Sequence, residues 1–561
     1  MRLRAALVTA VLALSVAAPA AAQDGEVTVK QETIESFDGT PIFTTLFLPP
    51  GATADDPVPV VFRSHGWGGS GEREVSEGST LEVLLDAGYA VLTWDERGFG
   101  DSGDVAHVDS PDFERKDVQV LVDHVAALPE ILLDGPGDPR MGFTGGSYAG
   151  GIQTVTAAFD DRVDAIAPEI SWVDLNYSLF PGGVPKFSWG QLLFGVGLAT
   201  STADGLDSGQ TGNYEPDLFQ VYARGTSMNT NDEFVQDYFH HRSLVGYGEE
   251  NPIDVPTLVL QGSVDTLFNI NEGLAIYEHV RANGAPAKYI IFCGGHVSCP
   301  GSYEDAGDRD HLDEAILAWF AKHLRGEDVD TGAPIEYRTN EGEWRNLAAL
   351  PAPDGTELPV SGEASLISTP VPQNGDLLTS QPSEDGDPHA ATFEVAAAER
   401  RPLELVGIPT AELSVTGSGP AVHLFLKLVD REAGEVLNLQ EAAVRVTDLS
   451  SEPQEIELDL AGIAYTLPEG HHLDLQISTT SFASTNARTP AQVDVALEAA
   501  IPVRRAGGGL AGGPPTTRAD EAELQAVATA PTGALPTTGA SLPAALGLLT
   551  LALAGALRRR R

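Results

Sequence analysis

Short apolar runs alternate with helix-compatible stretches between Glu26 and about Glu327, and this alternation restricts the fold more than any other feature of the chain. Apolar runs that each lead into a glycine-rich or polar turn are typical of parallel strands in a sheet covered by helices. The predicted buried strands are Val58–Phe62, Ala90–Trp94, Met141–Phe143, Thr257–Leu260 and Tyr289–Phe292. We therefore predict an α/β domain with a mostly parallel sheet over residues 23–332.

Residues 172–248 interrupt this alternation. The segment is rich in glycine and aromatic residues, among them Tyr177, Phe187 and Phe194. Because it lies between two strands that should be neighbours, we predict a lid inserted over the carboxyl edge of the sheet. An ordinary extended crossover connection is the alternative.

The hydrophobic period changes after about Ala333. From there to Val503, apolar and polar residues alternate in short runs separated by turn residues, as in strands with one buried face. The runs are Leu413–Val415, Leu424–Leu428, Val444–Val446, Ile456–Leu460, Leu473–Ile477 and Val493–Leu497. They predict an antiparallel β-sandwich over residues 333–503.

The N-terminus has the pattern of a targeting signal. Arg2 and Arg4 precede the apolar run Ala5–Val16, and small residues follow up to position 22. This order predicts a secretory signal peptide over residues 1–22, cleaved before Gln23.

The C-terminus has a second targeting pattern. Residues 504–534 are rich in Gly, Pro, Thr and Ala and predict a flexible stalk. Residues 535–561 then give the pentapeptide LPTTG, an apolar segment at 540–557 and four arginines, which together resemble a cell-wall sorting signal of Gram-positive bacteria. That resemblance implies that sortase cleaves between Thr538 and Gly539 and links the threonine to peptidoglycan.

A plain C-terminal membrane anchor is the alternative interpretation of this tail, because segment 540–557 is just long enough to cross a bilayer. In both cases we expect an exported protein whose folded part lies on the outer face of a Gram-positive-type cell.

Acidic residues greatly outnumber basic ones, 81 to 33, and the formal net charge is −48. This balance argues against nucleic acid or anionic lipid as a partner and predicts a solvated acidic surface, with adaptation to high salt as the alternative. No loop has convincing calcium-ligand spacing, and the pair His240-His241 has no further ligands at zinc spacing. We therefore predict no metal and no cofactor.

One serine lies in a setting suited to nucleophilic chemistry. The motif TGGSYAG at Thr144–Gly150 directly follows the predicted strand Met141–Phe143 and precedes a helix-compatible run. Small neighbours let a strand and a helix meet at a sharp turn, with the serine exposed at its tip. The motif predicts Ser147 as the nucleophile of an α/β-hydrolase fold. The alternative is a glycine-rich turn in which the serine has no catalytic role.

A serine hydroxyl needs a base, and the base needs an acid that orients it. In this fold the acid and then the histidine follow the serine in sequence, each after a strand. Asp265 follows the predicted strand Thr257–Leu260, and His296 follows Tyr289–Phe292. We predict this pair, and His311, which begins a helical stretch, is the alternative to His296.

Two further features surround these residues. The loop around Trp67 follows the first predicted buried strand, and we assign the oxyanion-hole donors to the backbone N–H groups of Trp67 and Tyr148. The two cysteines of the chain, Cys293 and Cys299, bracket His296, and in an exported protein we expect them to form a disulfide.

The chain resembles the peptidase family S15, or CocE/NonD, hydrolases, which include Xaa-Pro dipeptidyl-peptidases and cocaine-esterase-like enzymes. The resemblance rests on the motifs at Gly145–Gly150, Leu260–Asp265, Gly294–His296, Leu405–Pro409 and Tyr465–His471, and it extends over roughly residues 30–503. It implies that the β-sandwich is a jelly roll. Esterase-like members often place a tyrosine in the oxyanion hole, where this chain has Trp67.

These features predict a serine hydrolase that cleaves an amide or ester bond of a small peptide or ester, similar to Xaa-Pro dipeptidyl-peptidase or CocE. Dipeptide cleavage would need a carboxylate that binds a free amine, and Asp174 in the predicted lid is a candidate. The alternatives are a carboxylesterase or acylase without peptidase activity, and a non-catalytic carbohydrate-binding surface protein.

Overall fold

The computed structural model describes residues 25–205, 214–300, 308–370 and 390–505. The predicted signal peptide, residues 506–534 of the predicted stalk and the sorting signal with Thr538 and Gly539 lie outside the described residues. The predicted start of the stalk at Arg504 was wrong, because Arg504 and Arg505 belong to the strand Ala491–Arg505. Within the described ranges, no helix combines the length and apolar character needed to cross a membrane.

The first part of the chain contains a mixed sheet flanked by helices. Its strands are β1 (Thr28–Glu35), β2 (Pro41–Leu48), β3 (Val60–Arg63), β4 (Ala90–Trp94), β5 (Leu133–Gly135), β6 (Asp138–Pro139), β7 (Met141–Gly146), β8 (Ala165–Glu169), β9 (Thr257–Gly262), β10 (Ala287–Phe292), β11 (Ile335–Arg338) and β12 (Trp344–Leu347). Strands β5 and β6 pair only with each other, and the others form one sheet in the order β1-β2-β4-β3-β7-β8-β9-β10-β11-β12. The pairs from β4 through β11 are parallel, as the apolar runs predicted.

Helices cover both faces of this sheet. The α-helices are α1 (Thr80–Asp86), α2 (Glu114–Ala126), α3 (Tyr148–Phe159), α4 (Leu175–Leu179), α5 (Phe187–Gly205), α6 (Pro216–Val221), α7 (Glu233–His240), α8 (Leu244–Tyr247), α9 (Ile270–Ala282) and α10 (Asp308–Arg325). Apolar side chains of α2, α3 and α9 pack in one core with the sheet, while those of α1 and α10 pack in another. These two cores hold the central strands in place. The candidate active site lies on the loops that follow the carboxyl ends of these strands.

The segment between β8 and β9 folds into helices α4–α8. Its side chains form an aromatic cluster that also includes Tyr148, at the start of α3, and Phe268, in the turn after β9. A π-helical turn at Tyr222–Ser227 belongs to the same segment. The segment predicted as a lid therefore lies against the carboxyl ends of the strands.

The second part of the chain is an all-β domain. Its strands are β13 (Thr356–Ser368), β14 (Ala391–Ala397), β15 (Leu403–Gly407), β16 (Thr410–Asp430), β17 (Glu435–Val436), β18 (Ala442–Leu449), β19 (Gln454–Asp459), β20 (Ile463–Leu467), β21 (His472–Ser478) and β22 (Ala491–Arg505). They pair antiparallel throughout the described residues. The predicted fold class, an α/β-hydrolase fold followed by an all-β domain, is confirmed.

One prediction about this domain was wrong. The runs Leu413–Val415 and Leu424–Leu428 were predicted as separate strands, but both belong to β16. The first half of β16 pairs with β19 and β22, and the second half with β18 and β21. Gly419, with φ of 126°, lies between the two halves, where glycine permits a bend that a longer side chain resists.

Candidate active site

Ser147 lies at a sharp turn between β7 and α3. Its backbone has φ of 60° and ψ of −119°, a combination that is strained for a residue other than glycine. Gly145 has φ of 142°, and a Cβ at that position would lie 2.8 Å from Cβ of Ala149. Small residues are therefore required where strand and helix meet, which explains the glycine-rich motif around the serine.

Asp265 and His296 lie in turns that leave two neighbouring parallel strands. Gly262 at the end of β9 is opposite Phe292 at the end of β10. Asp265 follows three residues after Gly262, and His296 follows four residues after Phe292. This register brings the two side chains together at the same edge of the sheet.

The three predicted residues are in contact in series. His296 Nε2 lies 2.7 Å from Ser147 Oγ, and His296 Nδ1 lies 2.7 Å from Asp265 Oδ2. The Asp265 side chain is fully buried, whereas 11 % of the His296 side chain is exposed. A hydroxyl, an imidazole and a carboxylate in this order can pass a proton from the serine to the histidine.

Backbone N–H groups hold Asp265 in place. Its Oδ1 accepts hydrogen bonds from the amides of Leu267 and Phe268, each at 2.9 Å. Its Oδ2 accepts from the His296 amide at 3.1 Å as well as facing the imidazole. The carboxylate therefore has a single orientation in which Oδ2 faces the histidine ring.

The loop that carries His296 is held by a disulfide and by close packing. Cys293 and Cys299 form that disulfide on either side of the histidine. A Cβ at Gly295, where φ is 126°, would lie 2.6 Å from Asp265, so only glycine permits this approach. The imidazole also contacts the edges of Trp189 and Phe268, with ring centroids 5.6 Å and 5.1 Å away.

The loop predicted to supply an oxyanion donor lies beside the serine. A Cβ at Gly66 would be 4.0 Å from Cβ of Ser147. The neighbouring His65 accepts a hydrogen bond from the Glu96 amide on Nε2, and its Nδ1 donates to the carbonyl of Gly66. Burial lowers the pKa of His65, which favours the neutral ring that this pattern needs.

The backbone N–H groups of Trp67 and Tyr148 have no hydrogen-bond acceptor among the described residues. The Tyr148 amide is the first N–H of α3, which the helix itself leaves unsatisfied. Both residues line the same cavity as Ser147. These two amides are therefore available to an oxygen of a substrate.

The Trp67 side chain contacts the lid. Its Nε1 donates to the carbonyl of Leu193 in α5 at 2.9 Å. Its ring lies against Tyr148 and stacks on Tyr214, with centroids 5.1 Å and 5.8 Å away. The indole thus joins the Gly66 loop to α5, and because its N–H is engaged, a hydrogen bond from Trp67 to a substrate would have to come from the backbone.

A cavity of about 810 Å³, including its open mouth, lies between the lid and Ser147. Its wall is mostly aromatic and aliphatic, and its aromatic members are Trp67, Tyr148, Trp172, Phe180, Phe194, Tyr214, Tyr222, Phe239 and Phe268. Among the described residues that line the cavity, Lys186 is the only one with a charged side chain. The wall therefore suits a large apolar group.

Two other residues considered in the sequence lie elsewhere. Asp174 does not line the cavity but caps α4, its carboxylate accepting from the Asn176 amide at 2.8 Å. His311 pairs with Glu336 at 3.0 Å and packs on Trp344. The candidate role of Asp174 in amine binding is therefore not supported by its position.

The sequence analysis missed a residue of the β domain that contacts the turn after β9 that carries Asp265 (the acid turn). Gln440 Nε2 donates to the backbone carbonyl of Asp265 at 2.9 Å. Val264 and Cys293, from the turns that carry Asp265 and His296, also pack in the apolar core of the β domain. No local pattern marks Gln440, because it lies 175 residues from its partner along the chain.

Buried acids lie behind Tyr148. Glu96 accepts from the Ser64 hydroxyl at 2.6 Å, and burial raises the pKa of Glu96 to about 8. Burial likewise raises the pKa of Asp109 and Glu114, and the Tyr148 hydroxyl lies 3.4 Å from Glu114. Burial disfavours the charged form of each carboxyl group, so this cluster holds protons that solvent-exposed acids would lose.

The fold and the setting of Ser147 define the class: the protein is a serine hydrolase with the α/β-hydrolase fold. Comparison with known proteins gives the family. A model described as X-Pro dipeptidyl-peptidase (S15 family) matches residues 38–298. A second model, described as the X-Pro dipeptidyl-peptidase C-terminal non-catalytic domain, matches residues 327–502. The chain belongs to the S15 peptidase family, with its C-terminal β domain.

Several solved structures share the fold. A CocE/NonD family hydrolase from Staphylococcus aureus is 18 % identical, with a TM-score of 0.63, 86 % of this chain covered and 94 % of that one. An alpha-amino acid ester hydrolase is 18 % identical, with a TM-score of 0.65 and coverages of 88 % and 100 %. An aminopeptidase from the marine sediment archaeon Thaumarchaeota archaeon is 14 % identical, with a TM-score of 0.65 and coverages of 89 % and 99 %. No curated protein matches the chain.

Proposed function

We propose that this protein hydrolyses an ester or amide bond through an acyl-enzyme formed on Ser147. The observation that carries the proposal is the contact series Ser147–His296–Asp265, with both distances at 2.7 Å. In this assignment His296 is the general base and Asp265 orients it. The backbone N–H groups of Trp67 and Tyr148 bind the oxyanion.

The reaction has two halves. His296 Nε2 takes the proton of the Ser147 hydroxyl as Oγ bonds to the substrate carbonyl carbon, whose oxygen becomes an oxyanion. The protonated histidine then gives its proton to the leaving alcohol or amine as that bond breaks. Water, deprotonated by the same nitrogen, attacks the acyl-enzyme and releases the acid and free Ser147.

The hydrogen bonds to Asp265 support its role. Because Oδ2 faces Nδ1 of His296, the proton of the neutral imidazole lies on Nδ1 and the lone pair of Nε2 faces the serine. The same carboxylate then stabilises the imidazolium that forms during each half-reaction. Metal and cofactor have no role in this proposal.

Two substrate classes follow from the family: peptides with proline near the N-terminus, and carboxylic esters. The mostly apolar wall of the cavity suits an apolar acyl group, and among the described residues that line it none is a carboxylate that could bind the free amine of an N-terminal dipeptide. A carboxylesterase or acylase without peptidase activity is the alternative within the same chemistry.

A fluorophosphonate probe tests the nucleophile. We expect it to label the wild-type protein and not Ser147→Ala, and we expect Ser147→Ala to retain the wild-type melting temperature. Hydrolysis of Xaa-Pro p-nitroanilides and of p-nitrophenyl esters then separates peptidase from esterase. A wild-type protein that neither reacts with the probe nor cleaves any of these substrates would favour a non-catalytic carbohydrate-binding role.

We also propose that the protein is exported and anchored to the cell wall through Thr538. The basis is the order of pentapeptide, apolar segment and arginines at residues 535–561. Cell fractionation of the full-length chain and of a chain ending at residue 534 tests this. We expect the full chain in the wall fraction and the shortened chain in the medium, and wall retention of the shortened chain would contradict the proposal.

A further inference from the structure

Lys186 is a charged side chain in the wall of an otherwise apolar cavity. It lies between the turn at Pro181–Gly183 and the start of α5. It lines the cavity together with Phe180, Leu267 and Phe268. Since Ser147 lines the same cavity, any acyl group bound there shares its space with the Lys186 side chain.

One N–H donor of the Lys186 ammonium group has no acceptor among the described residues. Lys186 Nζ donates to the carbonyl of Thr266 at 2.8 Å and to the carbonyl of Leu267 at 2.9 Å. A lysine ammonium has three N–H donors, and the described residues accept two of them. A bound ligand with an acceptor atom near this part of the wall can accept the third hydrogen bond of the ammonium group.

We infer that Lys186 makes the cavity select acyl groups that end in a carboxylate over acyl groups that end in an ammonium. The inference rests on the proposed function, because it names the substrate class of the same site. The favoured substrate is an ester or amide of an apolar acid whose far end carries a carboxylate, as in a monoester of a dicarboxylic acid.

The electrostatics of the wall support this preference. Burial lowers the pKa of Lys186 to about 8, while Asp265 in the acid turn, Glu272 on α9 and Glu441 in the β domain act to raise it. Lys186 is therefore mostly protonated at neutral pH. A desolvated cation gains more from an anion than a cation in water does, because the effective dielectric constant around it is lower.

The same wall is unfavourable for a free amine. Among the described residues that line the cavity, none is Asp or Glu. A substrate ammonium would thus meet a like charge and aromatic rings rather than a carboxylate. This differs from what cleavage after an N-terminal dipeptide requires, namely a group that binds the free amine.

Three p-nitrophenyl esters of equal chain length test the inference: the hexanoate, the monoester of adipic acid and the 6-aminohexanoate. They differ only in a neutral, anionic or cationic end. The value of kcat/KM is measured for each, with spontaneous hydrolysis subtracted. The ionic strength is held constant, because the net charge of −48 repels anions at long range.

We expect wild-type protein to favour the adipate ester over the 6-aminohexanoate ester by at least tenfold at pH 7. Lys186→Met should reduce this ratio at least tenfold, which corresponds to about 1.4 kcal/mol. Lys186→Arg, which keeps the charge, should preserve the direction of the preference. In the wild type the ratio should also fall as pH rises through about 8.

The ratio separates a charge effect from a structural one. If Lys186→Met only loosened the acid turn, all three esters would lose rate in proportion and the ratio would stay at its wild-type value. That result, with the hexanoate still cleaved, overturns the inference and leaves the proposed function intact. Failure of all three esters together with absence of probe labelling at Ser147 contradicts the proposed function instead.

Discussion

The turn that holds Ser147 and the turns that hold Asp265 and His296 are stabilised in different ways. The serine turn is a local structure, set by small residues between β7 and α3. The acid and histidine turns also contact the β domain, through Gln440 and through Val264 and Cys293 in its core. Ser147 is thus positioned by one domain, whereas Asp265 and His296 lie in turns that two domains contact.

This difference shows that the β domain helps to position residues of the candidate active site. Besides its contacts with the acid turn, it touches the lid, where the amide of Ser188 donates to the carbonyl of Ala483 at 3.0 Å and the Arg488 guanidinium donates to the carbonyl of Ser227 at 2.5 Å. Substitutions in the β domain should therefore change catalysis without touching the serine.

The largest effect is expected for Asp265→Asn. The amide cannot hold the imidazole with Nδ1 protonated and Nε2 free, so kcat for the hexanoate ester should fall by about 10⁴-fold. Steady-state kinetics measure the loss, and circular dichroism checks that the fold is retained. A loss of less than tenfold in a folded protein would contradict the role assigned to Asp265.

A large effect is also expected for Gly295→Ala. The added Cβ would meet Asp265 at 2.6 Å, and displacing reacting groups by about 1 Å can cost about 100-fold in rate. Gly284→Ala is the matched control, because Gly284 also has a positive φ, of 83°, but has open space around its Cβ position. Both variants should lose stability, whereas only Gly295→Ala should lose about 100-fold in kcat.

Gln440→Ala tests the contribution of the β domain directly. Removing the hydrogen bond to the Asp265 carbonyl should lower kcat about tenfold, which corresponds to about 1.4 kcal/mol. Gln454→Ala removes a comparable bond to the carbonyl of Thr447, remote from the cavity, and should retain wild-type kcat. Equal kinetics for the two variants would show that the acid turn is positioned without the β domain.

A smaller effect is expected when the disulfide is removed. Closing so short a loop stabilises the native state by about 2 kcal/mol in the chain-entropy model. The double variant Cys293→Ser/Cys299→Ser should unfold at lower temperature in a thermal melt, and kcat should fall several-fold as the His296 loop gains freedom. Treatment of the wild type with a reductant should give the same kinetics, and an unchanged kcat in both cases would show that the disulfide does not restrain the histidine.

An effect on stability alone, with no change expected in kcat, concerns the acids behind the serine turn. Because the pKa of Glu96 is raised to about 8, the folded state binds its proton more tightly than the unfolded state does. The resulting stability is complete below the ordinary pKa and is lost as pH rises through about 8. The melting temperature of Glu96→Gln should therefore rise relative to wild type between pH 5 and pH 9, whereas Glu249→Gln, at an exposed position, should follow the wild-type curve.

Local patterns account for what could be predicted from the sequence. Ser147, Asp265 and His296 each follow an apolar strand and a glycine-rich turn, and parallel strands bring such turns to one edge. The contact between Lys186 and the acid turn joins residues 80 positions apart, and that of Gln440 joins residues 175 apart. Packing of separate segments determines these contacts, so no periodicity reveals them.

The prediction for β16 failed for a related reason. Gly417, Gly419 and Pro420 between its halves look like turn residues, and by composition they end a strand. In the folded chain, β22 runs alongside Thr410–Ser418 and completes their hydrogen bonds. A partner far along the chain thus overrides a local signal.

The hydrogen bond from the Trp67 indole to the carbonyl of Leu193 ties the loop beside Ser147 to helix α5 of the lid. An outward movement of α5 would break this bond and remove a contact that holds Trp67 in the cavity wall. A substitution in α5 that shifts the Leu193 carbonyl should therefore also shift Trp67 and reshape the cavity beside Ser147.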